Sequence, residues 1–161
     1  MNTLTIISFL ILSCYLVYIL KTIGIKRLSS LSDSYYKLGN RGYIFQIALF
    51  STAALLVPVL LEKTPEPFKF LAFFTTAPIL FVALSPEFKD VVLEGKVHVV
   101  AAKISAIFSI IWCIIMLKWL AIPVILGPGL LFYIMNRKHK QPTFFAEMVC
   151  FTMLYISMLF I

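Results

Sequence analysis

Six apolar runs make up most of this chain, with short polar segments between them, at residues 4–20, 43–61, 70–85, 97–117, 119–135 and 143–161. A helix needs about 20 mostly apolar residues to cross the hydrocarbon of a bilayer, and every run meets or approaches that length. Strands of a membrane barrel would alternate polar and apolar residues over segments of about ten, whereas these runs are apolar all round. They predict an all-α, polytopic transmembrane bundle of six helices. No linker and no repeat of about 20–50 residues divides the chain, so 1–161 is expected to be a single domain.

Composition agrees with lipid as the solvent. The chain is 61% hydrophobic and its mean hydropathy is +1.01, against about 45–50% apolar residues in a soluble domain. A core built from so short a chain cannot bury that much apolar surface. The net charge of +7 comes from basic residues in the short loops, where they set topology and meet anionic headgroups, so nucleic acid is not the expected partner. Cys14, Cys113 and Cys150 all fall within apolar runs, a pattern that gives neither a disulfide framework nor a zinc site.

The first run has no basic residue before it and no small-residue cleavage site after it, so it reads as an uncleaved anchor. With six helices, loops 1, 3 and 5 share one side. They and their flanks carry ten Lys and Arg residues (Lys21, Lys26, Arg27, Lys37, Arg41, Lys89, Lys96, Arg137, Lys138 and Lys140) against Lys63, Lys69 and Lys118 on the other side. The positive-inside rule then places loops 1, 3 and 5 in the cytoplasm and both termini outside. Pro128, between Gly127 and Gly129, predicts a kink in the fifth helix because proline lacks the N–H and clashes one turn back.

The distinctive polar residues gather on the side of loops 1, 3 and 5. Loop 1 holds "SLSDSYYKLGNRG" with Ser32 and Asp33, and loop 3 holds "SPEFKDVVLEGKVH" with Asp90, Glu94 and His98. Lys103 and Glu147 enter their helices from the same side. An ionisable residue within a span is costly and marks a functional position by default, so Lys103 and Glu147 are expected to pair across the bundle, with snorkelling of Lys103 to the interface as the alternative. Asp90, Glu94 and His98 stand four residues apart and would trace one stripe of a continuous helix. Carboxylates with an imidazole suit a divalent metal, but Gly95 is expected to interrupt the stripe, so a hydrated, ion-paired loop is preferred and no cofactor is implied. There is no Gly-rich phosphate loop and no G-x-S-x-G elbow. Ser32 and His98 would meet as nucleophile and base only if the tertiary fold happened to bring them together.

The "SLSD" after the first helix, the "SPEF" closing the third, the "VHVVAA" opening the fourth and the lone Glu147 opening the sixth resemble, in that order, the six-helix membrane proteins of the DRAM/Sfk type and their bacterial relatives. Those often show an Ile-Ser-Asp-like motif after the first helix, a His before small residues at the fourth and a Glu early in the last. The resemblance covers most of the chain through short motifs and implies a site at Ser32, Asp33, His98 and Glu147. The wider group is associated with autophagy modulation and with lipid or GPI-anchor handling. Some relatives are grouped with metal-dependent membrane hydrolases of the ceramidase kind, whose paired histidines on the last helix this sequence lacks.

Three functions are expected from these features, in this order. The first is non-catalytic binding of a lipid headgroup or partner at the cytoplasmic polar cluster, with Ser32 and Asp33 contacting the ligand and His98 and Glu147 anchoring it. The second is a metal-assisted lipid hydrolase using Asp33, Glu94 and His98. The third is a small transporter lined by Lys103, Glu147 and a broken fifth helix. Membrane lipid is the expected partner, and a membrane-protein partner or a second copy of the chain stays open.

Overall fold

The computed structural model describes residues 3–161. Six long helices carry the fold: α1 (Thr3–Thr22), α2 (Tyr43–Lys63), α3 (Lys69–Leu84), α4 (Val92–Leu117), α5 (Ala121–His139) and α6 (Pro142–Phe160), and no strand occurs among the described residues. The stretches that hold these helices are long and apolar enough to cross a membrane, with Val92–His139 forming one continuous apolar stretch of 48 residues.

That stretch is two helices rather than one. Lys118 takes a positive φ of 53°, a backbone region that L side chains disfavour and that ends a run of helix. Side-chain contacts fix the direction on each side of it. His98, near the start of α4, bonds loop 1 through Ser32, while Trp112, near its end, bonds Thr64 at the far end of α2. Gln141, just past α5, returns to loop 1 by donating to the Lys26 carbonyl at 3.0 Å. The chain therefore reverses at Lys118, and α4 and α5 run antiparallel. By the same logic Thr5 of α1 and Met158 of α6, which touch, put the first and last helices' outer ends together, opposite loop 1.

Helices α1, α2, α3, α4 and α6 pack in succession around a common centre. The ring closes where the Tyr155 hydroxyl of α6 donates to Ser8 Oγ of α1 at 2.7 Å while Ser8 donates to the Thr52 carbonyl of α2. The fifth helix sits outside the ring against α6, and of its 19 residues only Ala121, Val124 and Pro128 are buried. Large apolar side chains such as Leu10, Ile47, Phe81, Ile107, Leu126 and Leu159 cover the outer faces, while Leu12, Phe45, Leu56, Trp112 and Met153 fill the inside.

Most helix ends fall within a few residues of the expected bounds, and the largest shifts are at the start of the fourth helix and the end of the fifth. The fourth helix begins at Val92 rather than 97, because the "VVLEGK" segment continues it outward beyond the apolar run. Gly95 does not interrupt that helix. A Cβ there would stand 2.6 Å from the Phe88 carbonyl oxygen, so glycine is what lets loop 3 lie directly on the helix. The fifth helix runs without a break through Pro128 to His139, so the helix lining a path in the transporter reading is continuous.

Candidate functional site

Loop 1 is a compact plug rather than a strap. Gly24 turns the chain out of α1 with φ +84°, and Leu28, Leu31, Ser32, Asp33 and Ser34 then fold inward until all five are buried. Ser34 donates to the Leu31 carbonyl and accepts from the Tyr15 hydroxyl of α1. The Phe144 amide at the start of α6 donates to the Ser29 carbonyl at 3.2 Å. Tight local turns, the Tyr15 hydroxyl of α1 on one side and the Phe144 amide of α6 on the other thus hold residues 29–34 over one end of the ring.

Within this plug, His98 is engaged through both ring nitrogens. Its Nδ1 lies 2.9 Å from the Ser85 carbonyl oxygen, which only accepts, so Nδ1 carries the proton. Nε2 is then the lone-pair nitrogen, and the Ser32 hydroxyl 2.9 Å away donates to it. Phe88 stacks on the imidazole with ring centres 4.3 Å apart, fixing its plane. Ser85, His98 and Ser32 come from the end of α3, the first turns of α4 and loop 1.

Asp33 points the other way. Its carboxylate pairs with Lys89 of loop 3 and accepts the Ser29 amide at 3.2 Å. The Tyr36 hydroxyl accepts the Lys89 amide at 2.8 Å, and the Lys89 ammonium lies over the Tyr36 ring. Burial pushes the Asp33 carboxyl up, but the Lys89 and Ser29 hydrogen bonds outweigh it and hold it below the ordinary carboxylate value. Asp33 is thus a clamp between loops 1 and 3, and it is absent from the wall of the cavity described next. Lys89, which the sequence reading counted only as a topology charge, is its partner.

A cavity of about 310 Å³ lies beneath the plug. Ser32, Leu31, Thr143, Lys103 and Glu147 line its upper part, and Leu49, Ile79, Val82, Phe151 and Leu154 line its apolar body. It opens between α4 and α6, where Lys103, Thr143 and Ala146 are exposed. Thr75, also in the wall, is wholly buried, and its hydroxyl has no hydrogen-bond partner among the described residues. Such a group costs roughly 1–3 kcal/mol when left unmade, so it marks a place where a ligand atom would be welcome.

Lys103 and Glu147 share this cavity without forming the expected ion pair. Glu147 Oε2 instead accepts the Leu31 amide at 2.5 Å, tying the last helix to the plug. The metal stripe does not assemble either. Asp90 lies in loop 3, Glu94 accepts the Glu87 amide at 2.9 Å, and both His98 nitrogens are committed. Among the described residues no group of three His, Cys, Asp or Glu side chains is arranged to hold a metal ion.

The structure therefore joins Ser32 to His98, joins Glu147 to loop 1 through Leu31, leaves Lys103 in the same cavity, and turns Asp33 outward to Lys89. Sequence reasoning missed Ser85, whose carbonyl sets the histidine tautomer, and Thr75, which has no signal in an apolar run. No protein-family model, curated relative or solved structure matches the chain.

Proposed function

We propose that the chain is a six-span membrane protein that holds one lipid in the lateral cavity, with the loop 1 end of the bundle in the cytoplasm. Support for the membrane setting comes from helices long and apolar enough to cross and from the apolar side chains on their outer faces. Support for the orientation is the excess of Lys and Arg at the loop 1 end, ten against three, read through the positive-inside rule.

The observation that carries lipid binding is the gradient within a single cavity. Its apolar body is suited to an acyl chain, and its upper rim offers Lys103, Glu147, Ser32 and Thr143 to a headgroup or ester. Ligand pockets run from about 300 to 1,000 Å³, so a volume of about 310 Å³ fits part of one lipid rather than a whole one. The opening between α4 and α6 lets the remainder stay in the bilayer. The cationic Lys103 favours an anionic headgroup.

Native mass spectrometry of the detergent-purified chain tests this. Retained lipid is expected at one per chain, with anionic species enriched. A106W, which fills the wall between α4 and α6, should lower retention at least about tenfold, since one lost contact set worth about 1.4 kcal/mol already changes binding by that factor. Equal retention by A106W and the parent would sink the cavity as the lipid site.

A further inference from the structure

The polar end of the cavity also holds a chemical arrangement that simple binding does not require. Ser32 lines the cavity while donating its proton to His98 Nε2 at 2.9 Å. The opposite nitrogen is held by a backbone carbonyl at 2.9 Å, and Phe88 locks the ring plane. A nucleophile bonded to a base that a third group orients is the general signature of an activated hydroxyl. Here the third group is the Ser85 carbonyl, which selects the tautomer an acid does in other such sites. Asp33 takes no part, because its carboxylate is held by Lys89 and the Ser29 amide.

We propose that Ser32 is a nucleophile, with His98 as its base, that accepts the acyl group of an ester-linked lipid held in the cavity. This rests on the lipid reading above. In the first step Ser32 Oγ bonds to the ester carbonyl carbon, and its proton passes to His98 Nε2. The bond from that carbon to the alcohol oxygen then breaks, and the alcohol leaves with the proton from His98. In the second step water adds to the acyl carbon, giving a proton to His98. The Ser32 oxygen leaves and regains that proton, so the net change is ester plus water to fatty acid plus alcohol. Lys103 supplies the positive charge of the same wall to the carbonyl oxygen as it becomes negative.

The position of the reacting atom follows from the cavity. An acyl chain lying against Leu49, Ile79, Val82 and Leu154 places its carboxyl end at the polar rim, where Ser32 is. The plug covers this end, since Leu31, Ser32 and His98 are all buried, and substrate therefore enters from the side, between α4 and α6. The chemical class is a monoacyl or diacyl ester lipid whose first ester sits at the depth of the rim.

A long-chain alkyl fluorophosphonate tests the proposal on the full chain in lipid nanodiscs. It forms a stable phosphonyl adduct with activated serines. Intact mass and peptide mapping are expected to find one adduct per chain, on Ser32, absent from S32A. H98Q, which keeps a polar planar side chain, should slow adduct formation by about 100-fold or more, the usual contribution of a positioned base, with its melting temperature measured alongside. A wild-type chain that is folded, retains lipid and gains no adduct on Ser32 overturns the nucleophile and leaves the lipid site standing. An adduct on Ser32 with no lipid retained supports the nucleophile and overturns the lipid reading. Equal adduct rates in wild type and a folded H98Q overturn the role given to His98.

Discussion

At the end holding Trp112 and Tyr155 the buried polar groups are neutral hydroxyl, thiol and indole groups that bond within or between helices, whereas at the end holding His98 and Glu147 they include acidic and basic side chains that bond to loops. The neutral end works through short local bonds. Thr64 donates to the Leu60 carbonyl at 2.6 Å and accepts the Trp112 indole N–H at 2.8 Å. Ser157 donates to the Met153 carbonyl at 2.7 Å and accepts the Cys113 thiol. Away from water every such group needs an internal partner, and hydroxyls supply one without charge. The ionisable end spends four titratable side chains on holding two loops and roofing a cavity. Where only packing is needed neutral bonds serve, so the concentration of Asp33, Lys89, His98 and Glu147 at one end is what separates the site from the scaffold.

Trp112 offers the largest test of that contrast. It is wholly buried, and truncating an aromatic of this kind costs about 3–5 kcal/mol. W112A is expected to lower stability by that amount in thermal or denaturant unfolding, yet to retain lipid as the parent does at temperatures where it stays folded. Lost retention in a folded W112A would mean that the two ends are coupled and the division between scaffold and site is wrong.

Gly95 probes the other end. A methyl group added there must move the Phe88 carbonyl, which stands 2.6 Å from the position of the new atom. Overpacking of this kind costs about 1–3 kcal/mol. Since Phe88 stacks on His98, G95A should also perturb the imidazole, seen as a shifted His98 signal in nitrogen-edited NMR. A neutral G95A with an unmoved signal would show that loop 3 is not seated on α4.

Much of the scaffold was legible because long helices that are apolar all round leave runs of distinctive length and composition. The six runs could be read directly from hydrophobicity. The gathering of odd polar residues on one side was also legible, because alternation of loops is forced once the spans are counted. What could not be read was pairing. Ser32 and His98 are 66 residues apart and Leu31 and Glu147 are 116 apart, and neither bond leaves a periodic signal. Gly95 misled for a related reason. Inside a helical pattern a glycine reads as weakness, and only the approach of the Phe88 carbonyl reveals it as a contact. Lys103 and Glu147 misled in the opposite way, because two opposite charges entering one end invite a pair, and the nearer Leu31 amide takes the carboxylate first.

The Asp33 clamp sharpens the comparison by pH. Its folded-state carboxyl is held below the ordinary value, so the folded state favours the charged form. The resulting stability is fully present above the ordinary value of about 3.9 and is lost as pH falls through the lower, folded value. With Lys89 half exposed, solvent screening limits the contribution to about 1 kcal/mol. The stability difference between wild type and D33N should stay constant from neutral pH down to about 4 and shrink below it. A difference that changes between pH 5 and 8 would assign the clamp to another group.

The smallest expected effect lies back at the neutral end. S157A removes a hydroxyl that bonds the carbonyl four residues earlier in its own helix and receives the Cys113 thiol at 3.2 Å. The carbonyl keeps its helical partner, the thiol is a weak donor, and alanine favours the helix more than serine does. These terms oppose one another, and the net loss in an unfolding titration should be about 0.5 kcal/mol or less. A loss several times larger would show that a neutral bond at this end is as demanding as the ionisable ones opposite, and the contrast would then rest on charge alone rather than on the separate work of the two ends.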